Sequence, residues 1–200
     1  MSEHHLTKTR YASFNLLDEI NRGLEDAGFE YCTPIQEQTL PIALEGHDVA
    51  GEAQTGTGKT AAFLIAVFNQ LLKQPAGDKR RKNQPRALIL APTRELAIQI
   101  HKDAELLGGH TGLVFGLAYG GTGYEQQREA VGAGVDILIG TPGRLIDYFK
   151  QKVYNLRHIQ VMVVDEADRM LDMGFIPDVK RIVSELSNKR KTMFLSATLP

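Results

Sequence analysis

The chain has 200 residues, of which 42% are hydrophobic and 24% charged, and this composition predicts one globular domain with a buried core. The formal net charge of −1 excludes a positive field over the whole molecule, so any nucleic-acid site has to be a local patch. A single cysteine excludes an internal disulfide and a cysteine-based metal site, which fits a reducing cytoplasm. No apolar segment reaches the length of a signal peptide or a membrane helix, so we expect a cytoplasmic protein with no membrane partner.

The predicted elements begin with two helices in residues 14–46, on either side of the turn GFEYCTP. From about residue 48 onwards, short β-rich runs alternate with longer helical patterns. Strands are predicted over 47–53, 86–92, 113–120, 135–140, 159–165 and 191–197. Helices are predicted over 59–73, 94–107, 124–131, 143–150 and 177–186. Nearly continuous apolar strands separated by helices indicate an α/β fold, in which helices cover both faces of a parallel sheet.

One predicted connection, residues 74–85, is polar and reads QPAGDKRRKNQP. Proline and glycine lie near its ends, and we interpret it as a solvated loop between a helix and a strand. Its KRRK cluster leaves a contact with RNA open as the alternative.

A glycine-rich turn lies between the first predicted strand and the helix that follows it. The turn matches the phosphate-loop pattern, except that Ala53 takes the first glycine position. Glycines let backbone N–H groups turn towards phosphate oxygens, and the helix adds its positive end. In this interpretation Lys59 reaches the β- and γ-phosphates and the Thr60 hydroxyl binds Mg²⁺. The alternative is a turn that binds nothing. The candidate nucleotide-binding residues of the turn are Ala53, Gln54, Thr55, Gly56, Thr57, Gly58, Lys59 and Thr60.

Three carboxylates directly follow the apolar run that ends at Val164, namely Asp165, Glu166 and Asp168. In phosphate-loop NTPases, an acidic residue at the end of a second strand helps to hold the Mg²⁺. Asp165 fits that role, and Glu166 is placed to orient or deprotonate an attacking water. The alternative is a helix N-terminus with solvated acidic neighbours.

These motifs occur with others in a characteristic order, since the letters DEAD at 165–168 accompany AQTGTGKT, PTREL, TPGR and SAT. The chain resembles the N-terminal lobe of DEAD-box RNA helicases over essentially all of its length. The resemblance implies a RecA-like phosphate-loop fold, ATP and Mg²⁺ as cofactors, and RNA as the partner. It further implies that residues 1–200 form one lobe, in which about 1–37 is a leading segment, and that a C-terminal RecA-like lobe lies outside this chain.

The segment GFEYCTPIQ resembles the family's Q motif, which selects ATP. The resemblance implies that Gln36 contacts the adenine edge, because a carboxamide both donates and accepts hydrogen bonds. Thr33 belongs to the same motif, and Phe14 is the upstream aromatic expected to pack on the base. Cys32 stands where the family usually has proline, and we expect it to be a packed small residue.

Three further motifs follow predicted strands, and the resemblance implies that they grip the sugar–phosphate backbone of one RNA strand. Arginines supply charge, a threonine supplies a hydroxyl, and glycines let backbone N–H groups approach phosphate, so little base specificity should follow. Each motif alone is also typical of a plain strand–turn–helix cap. The candidate RNA-binding residues are Pro92, Thr93, Arg94, Gly120, Gly121, Thr141, Pro142, Gly143 and Arg144.

The resemblance also implies a coupling role for SAT, so that Ser196 and Thr198 link the nucleotide state to the RNA grip. Asp168 is expected to bridge towards this motif or towards the second lobe. The stretches CTPIQ, AYGGTGY and TPGRLIDYFKQ resemble most closely the bacterial members that associate with the RNA degradosome. That similarity implies a role in RNA degradation and docking, through the second lobe, on an RNase E-type endoribonuclease scaffold.

Two other functions remain open from the sequence. One is a phosphate-loop ATPase that moves on DNA or remodels protein, and the Q motif argues against it. The other is a non-catalytic RNA-binding scaffold module, which disagrees with the intact Lys59, Thr60, Asp165 and Glu166. By the resemblance, an isolated lobe binds ATP weakly and hydrolyses it very slowly, since the second lobe supplies an arginine finger worth about 10³–10⁵ in turnover.

Overall fold

The computed structural model of the protein describes residues 5–198. Six strands form a single sheet in the order β1-β6-β5-β2-β4-β3, and every neighbouring pair is parallel. This confirms the predicted parallel α/β fold, and all six predicted strands are present. The strands are β1 (Val49–Glu52), β2 (Ala87–Leu90), β3 (Phe115–Ala118), β4 (Ile137–Gly140), β5 (Val161–Val164) and β6 (Lys191–Ser196).

Most helices also lie where the sequence predicts them. Among the described residues they are α1 (Asp18–Asp26), α2 (Pro34–Leu44), α3 (Lys59–Lys73), α4 (Arg94–Leu107), α5 (Tyr124–Ala133), α6 (Pro142–Lys150), α7 (Ala167–Asp172) and α8 (Ile176–Ser184). A 3₁₀ turn (Tyr11–Phe14) precedes α1. The sequence did not predict α7, because a helix of six residues is too short to show a hydrophobic period. No described helix is long and apolar enough to cross a bilayer.

Alternate residues of each central strand face opposite sides of the sheet. In β2, Ala87 and Ile89 belong to one buried cluster, whereas Leu88 and Leu90 belong to another. The first cluster contains most of the buried apolar side chains of α1–α4, and the second contains most of those of α6–α8. Because both faces are covered, the central strands are apolar throughout, as the sequence shows.

Cys32 lies in the first of these clusters and is completely buried. Burial raises the pKa of its thiol to about 11, so the thiolate is suppressed at neutral pH. Its backbone N–H donates to the Thr9 carbonyl at 2.8 Å, which joins the segment before α2 to the residues near the N-terminus. Cys32 is thus a packing residue, as the sequence predicts.

The parallel strands bring all the candidate motifs to one edge of the sheet. The loops that leave the carboxyl ends follow the strand order, so the AQTGTGKT turn, the SAT segment and the acidic segment are neighbours. The PTREL, TPGR and glycine-pair segments follow along the same edge, after β2, β4 and β3. Loops at this edge are where open α/β sheets bind ligands.

Candidate functional site

The turn between β1 and α3 is shaped by two glycines in the left-handed region. Gly56 has φ 84° and Gly58 has φ 85°, conformations that residues with a Cβ adopt at a cost. A Cβ on Gly58 would also lie 2.5 Å from Nε2 of Gln36. Gly58 is the N-cap of the 15-residue helix α3 and makes no side-chain hydrogen bond. The first backbone N–H groups of the helix are therefore not capped by a side chain. Such a helix terminus favours a bound anion.

Lys59 and Asp165 form a buried ion pair at the base of this turn. The Nζ atom of Lys59 lies 2.8 Å from Oδ1 of Asp165, and their side chains are 5% and 0% exposed. The same Nζ atom lies 4.0 Å from Oε1 of Glu166. The three predicted catalytic residues therefore meet, although they are separated by about half of the chain.

The second oxygen of Asp165 lacks a partner within the described part of the chain. Oδ2 is buried and accepts no hydrogen bond, whereas Oδ1 accepts one from the Glu166 N–H at 2.9 Å. Burial raises the pKa of Asp165, and the Lys59 ammonium only partly opposes this shift. A buried carboxylate oxygen without a partner is costly, and a cation at this point would satisfy it.

Glu166 adopts a conformation that is rare for a residue with a side chain. Its φ of 48° and ψ of 51° lie in the left-handed region, directly between β5 and α7. The Thr55 hydroxyl donates to Oε1 of Glu166 at 3.2 Å, and Arg169 lies 3.7 Å from Oε2. Strained backbone of this kind clusters at functional sites, and here it directs the carboxylate towards the glycine-rich turn.

A cleft of about 450 Å³ opens beside the turn. Thr55, Gly56, Gly58, Lys59 and Thr60 line one side of it, together with Glu166. The predicted residues Ala53, Gln54 and Thr57 instead line a separate cavity of about 350 Å³ behind the turn. The structure thus brings five of the eight candidate residues of the turn to the cleft.

Gln36 and Thr33 line the same cleft, and Gln36 connects the leading segment to the turn. Its Nε2 donates to the Gly58 carbonyl at 3.0 Å, and its Oε1 accepts from the Thr33 N–H at 2.8 Å. The Tyr11 hydroxyl also donates to Oε1. The Thr33 side chain is buried beside the cleft and forms a capping box with Gln36 at the start of α2.

The aromatic residues of the cleft are different from the one that the sequence singled out. Phe14 is half-buried and packs against the first hydrophobic cluster, and it does not line the cleft. Tyr11 and Phe29 line it instead, with ring centroids 6.3 Å apart and planes 17° from parallel. The sequence holds two aromatic residues three positions apart in one short turn, and its pattern does not tell which of them faces the cleft.

The candidate RNA residues lie on the β2, β4 and β3 side of the edge, and they differ in exposure. Arg94, Gly120, Gly121 and Gly143 are exposed, whereas Pro92, Thr141 and Pro142 are buried. A Cβ on Gly121 would lie 3.3 Å from NH1 of Arg94, so the glycine pair and the PTREL segment adjoin. Thr93 accepts a hydrogen bond from the Leu96 N–H at 3.2 Å, which makes it an N-cap of α4.

Arg144 is held between two tyrosines. Its guanidinium carbon lies 4.7 Å from the ring centroid of Tyr124 and 5.5 Å from that of Tyr148. It also donates to the Tyr148 hydroxyl at 3.3 Å. These contacts orient the guanidinium at the end of β4 and reduce the entropy that it loses on meeting an anion.

Of the three coupling residues, Ser196 and Thr198 are bonded to each other, and Asp168 is bonded to neither. The Ser196 hydroxyl is buried and donates to the Thr198 carbonyl at 2.6 Å, within its own turn. The Asp168 side chain makes no hydrogen bond or ion pair to any residue between 5 and 198. The predicted bridge from Asp168 to the SAT segment is therefore not formed in this structure.

The chain is similar to known proteins both in sequence and in fold. Residues 33–200 match the family model described as "DEAD/DEAH box helicase". The chain is 56% identical to the ATP-dependent RNA helicase RhlB of Shewanella amazonensis, covering 100% of this chain and 46% of that protein. It is also 56% identical to the protein of the same name from Aeromonas salmonicida, of which it covers 47%. Its fold is similar to the crystal structure of a DEAD box protein from Methanococcus jannaschii, with TM-score 0.84 and 35% identity over 96% of this chain and 50% of that one.

Proposed function

Because the chain belongs to the DEAD/DEAH box helicase family, we propose that it is the ATP-binding lobe of an RNA-dependent helicase. The observation that carries the proposal is the buried pair of Lys59 and Asp165, which lies at the base of an open glycine-rich turn. A structural turn does not need a buried charge pair with an unpartnered carboxylate oxygen. A site for nucleotide phosphates and a metal ion does need these groups.

In this proposal the phosphates lie along residues 53–60, on the N–H groups that open α3. The Lys59 ammonium turns from Asp165 to the β- and γ-phosphates when the nucleotide binds. Mg²⁺ is held by the Thr60 hydroxyl, by Asp165 and by phosphate oxygens. The described residues contain no cluster of three His, Cys, Asp or Glu side chains that could hold a metal ion. This fits Mg²⁺, which is commonly bound by one or two carboxylates together with substrate phosphates.

The adenine base occupies the apolar end of the same cleft in this proposal. Gln36 is already fixed against the Gly58 carbonyl, so one N–H of its amide group is left to contact the base. Tyr11 and Phe29 take the packing role for which the sequence suggested Phe14. The fixed amide links base recognition to the turn that holds the phosphates.

Glu166 acts on the attacking water in this proposal. Its carboxylate is held by the Thr55 hydroxyl, lies within 4.0 Å of the Lys59 ammonium and is only 13% exposed. These contacts orient the carboxylate, as is required of a group that positions or deprotonates water.

The other half of the edge grips RNA in this proposal. Arg94, Arg144 and the backbone of the glycine pair face the same rim, where cations and backbone N–H groups suit the phosphate oxygens of a nucleic-acid backbone. Binding would therefore depend weakly on sequence and strongly on salt.

The chain spans about half the length of the curated relatives that it matches. We therefore propose that a second RecA-like lobe completes the ATP site, and that closure of the two lobes bends one RNA strand and separates short duplexes. Hydrolysis then reopens the lobes. A role in RNA degradation, with an RNase E-type scaffold bound to the second lobe, is the corresponding proposal for the whole protein.

The test is ATP hydrolysis by a protein that carries this chain together with its second lobe. It is measured without nucleic acid, with single-stranded RNA and with DNA of the same sequence. We expect stimulation by RNA and little by DNA, because the proposed partner is RNA. Equal stimulation by DNA would favour a DNA-directed ATPase. Nucleotide binding without turnover under all three conditions would favour a non-catalytic scaffold module. Either result would overturn the proposal.

A further inference from the structure

The opposite edge of the sheet carries a concentration of positive charge that the proposed function does not use. Two cavities of about 520 Å³ and about 660 Å³ lie there, at the amino ends of β2, β5 and β6. Six lysines and arginines line the first cavity and six line the second, and Arg157 belongs to both. Eleven of the 23 basic residues therefore gather at this edge. We call the two cavities together the basic groove.

The charge of the basic groove is mostly uncompensated. Among the described residues, no aspartate or glutamate lines either cavity. Two of its arginines form ion pairs just outside, Arg80 with Asp136 at 3.0 Å and Arg181 with Glu185 at 3.5 Å. The other nine basic residues make no ion pair within residues 5–198. A chain with a net charge of −1 has no general excess of cations, so this gathering is a local feature.

One donor in the groove is buried without a partner. The Nε atom of Arg190 is inaccessible to solvent and donates to no described residue, although its NH1 donates to the Ser187 carbonyl at 2.9 Å. Arg190 lines the first cavity. Buried donors are nearly always satisfied, so the Arg190 guanidinium has hydrogen-bonding capacity that the described residues do not use.

The groove is built on a fixed framework. Arg86 is 5% exposed, and its guanidinium donates to the Leu71 carbonyl at 2.7 Å and to the Gln160 side chain at 3.0 Å. Arg80 donates to the Val135 carbonyl at 3.0 Å. These bonds join the residue before β2 to the end of α3 and to the segment before β5, and they join the 74–85 loop to the segment before β4.

We propose that the basic groove is a second RNA site, which binds the phosphate backbone of a single strand independently of ATP. Repeated positive charges along two adjoining cavities match the repeated charges of a polynucleotide. The half-buried ring of Phe149 and the neutral side chains of Asn83 and Asn155 line the second cavity, and they suit a base and sugar hydroxyls. An acidic protein segment would use the charges but has no need of a ring on which a base can stack.

The position of the groove separates it from the proposed nucleotide site. The central strands are four residues long, so the two edges of the sheet are roughly 13 Å apart along a strand, before the loops are added. No groove residue lines the cleft that contains Lys59 and Glu166. RNA held in the groove would therefore stay bound while the carboxyl-edge contacts open and close with the nucleotide.

The test is RNA binding by this chain without nucleotide or Mg²⁺. A fluorescent oligouridine is titrated at several salt concentrations against the parent, a groove variant and a control. The groove variant is Lys79→Gln/Arg157→Gln/Lys189→Gln, whose three side chains are exposed and make no ion pair to described residues. The control is Lys8→Gln/Arg22→Gln/Lys102→Gln, which removes the same charge from exposed positions outside both cavities.

The groove variant should bind RNA several-fold more weakly than the control. Its slope of log K against log salt should be smaller by about 2, since each lost phosphate contact removes about 0.7 on single strands. Photo-crosslinks from thiouridine RNA to the parent should fall in segments 74–86 and 149–160. Equal slopes for the two variants would overturn the proposal. Crosslinks confined to the carboxyl edge, or an oligoglutamate of equal charge displacing the RNA at equal concentration, would also overturn it.

Discussion

Charged side chains are buried in one half of the carboxyl edge and exposed in the other. On the β1-β6-β5 side, Lys59 and Asp165 are buried and paired, with side chains 5% and 0% exposed. On the β2-β4-β3 side, the Arg94 side chain is 54% exposed, and its ion pair, with Glu95 at 3.4 Å, is on the surface. A buried charge interacts more strongly with a reacting group, because the local dielectric is low. An exposed charge suits a polymer that has to bind and dissociate.

This contrast explains why single substitutions should act differently in the two halves. On the buried side a change should affect turnover and stability together, because each charge there depends on its partner. On the exposed side it should change RNA affinity and salt dependence and leave the fold unchanged. Arg144 lies between these cases, because Tyr124 and Tyr148 hold it while it stays partly exposed.

The largest expected effect is that of Glu166→Gln on ATP turnover in a protein with both lobes. The amide keeps the shape but loses the base, so turnover should fall by about 10²–10⁴-fold. RNA affinity should change little, since the residue belongs to the buried half. Asp172→Asn is the matched control, as an exposed carboxylate of α7 six positions further on. Full turnover in Glu166→Gln would show that Glu166 takes no part in the reaction.

The next effect is that of Lys59→Met on stability. Removing the ammonium leaves a buried carboxylate without a cation, which should lower the free energy of unfolding by about 3–5 kcal/mol near neutral pH. Lys102→Met, at an exposed position, is the control.

The loss in Lys59→Met should also depend on pH. Burial raises the pKa of Asp165 above its unfolded value, so the stability linked to its protonated form is lost as pH rises through the folded pKa. Without Lys59 that pKa rises further, and the deficit relative to the parent should be larger at about pH 8 than at about pH 5. Urea unfolding followed by circular dichroism measures it. A deficit that is equal at both pH values would contradict the buried pair.

A smaller effect is expected for Gly58→Ala. The left-handed φ of 85° should cost about 1–2 kcal/mol for a residue with a Cβ. The added methyl would also displace the Gln36 amide and weaken ATP binding. Gly77→Ala is the control, because a Cβ there meets nothing within 4 Å. Urea unfolding measures the loss of stability, and calorimetric titration measures the loss of ATP affinity. A Gly58→Ala variant equal to Gly77→Ala in both measurements would refute this account of the turn.

The smallest effects belong to the exposed half. Arg94→Gln and Arg144→Gln should each lower the salt slope of RNA binding by about 0.7. Arg144→Gln should also lose about 0.5–1 kcal/mol of unfolding free energy with its tyrosine contacts, whereas Arg94→Gln should lose almost none. Arg22→Gln, on the exposed side of α1, controls for net charge. Equal stability losses in the two variants would show that Arg144 is not held by the tyrosines.

The sequence predicted most of the fold because apolar runs and helical periods are local signals. Both the α3 and the α4 ranges were predicted to the residue. The site was predicted wherever a motif contains its own chemistry, as in the turn before Lys59. It was not predicted where distant segments meet without a recognised motif in each of them. Examples are the position of the Tyr11 ring along the cleft, the Tyr11 bond to Gln36 and the two tyrosine rings beside Arg144.

The basic groove shows the same limit more strongly. Its residues come from 70–86, 149–160, 181 and 187–191, and only the KRRK cluster stood out in the sequence. Strand order brings these segments together, and strand order is a property of the folded sheet. A charge pattern read along the chain therefore underestimates this surface.

The central claim is that one half of the carboxyl edge holds the nucleotide and the other half holds RNA. Amide chemical shifts of the ¹⁵N-labelled chain test it most directly, during titration with Mg·ATP and then with single-stranded RNA. Mg·ATP should shift the amides of residues 53–60, Gln36 and Asp165, whereas RNA should shift those of Arg94, 120–121, Thr141 and 143–144, together with the basic groove. Shifts from Mg·ATP centred on the β3 and β4 loops, or none near Lys59, would contradict the account.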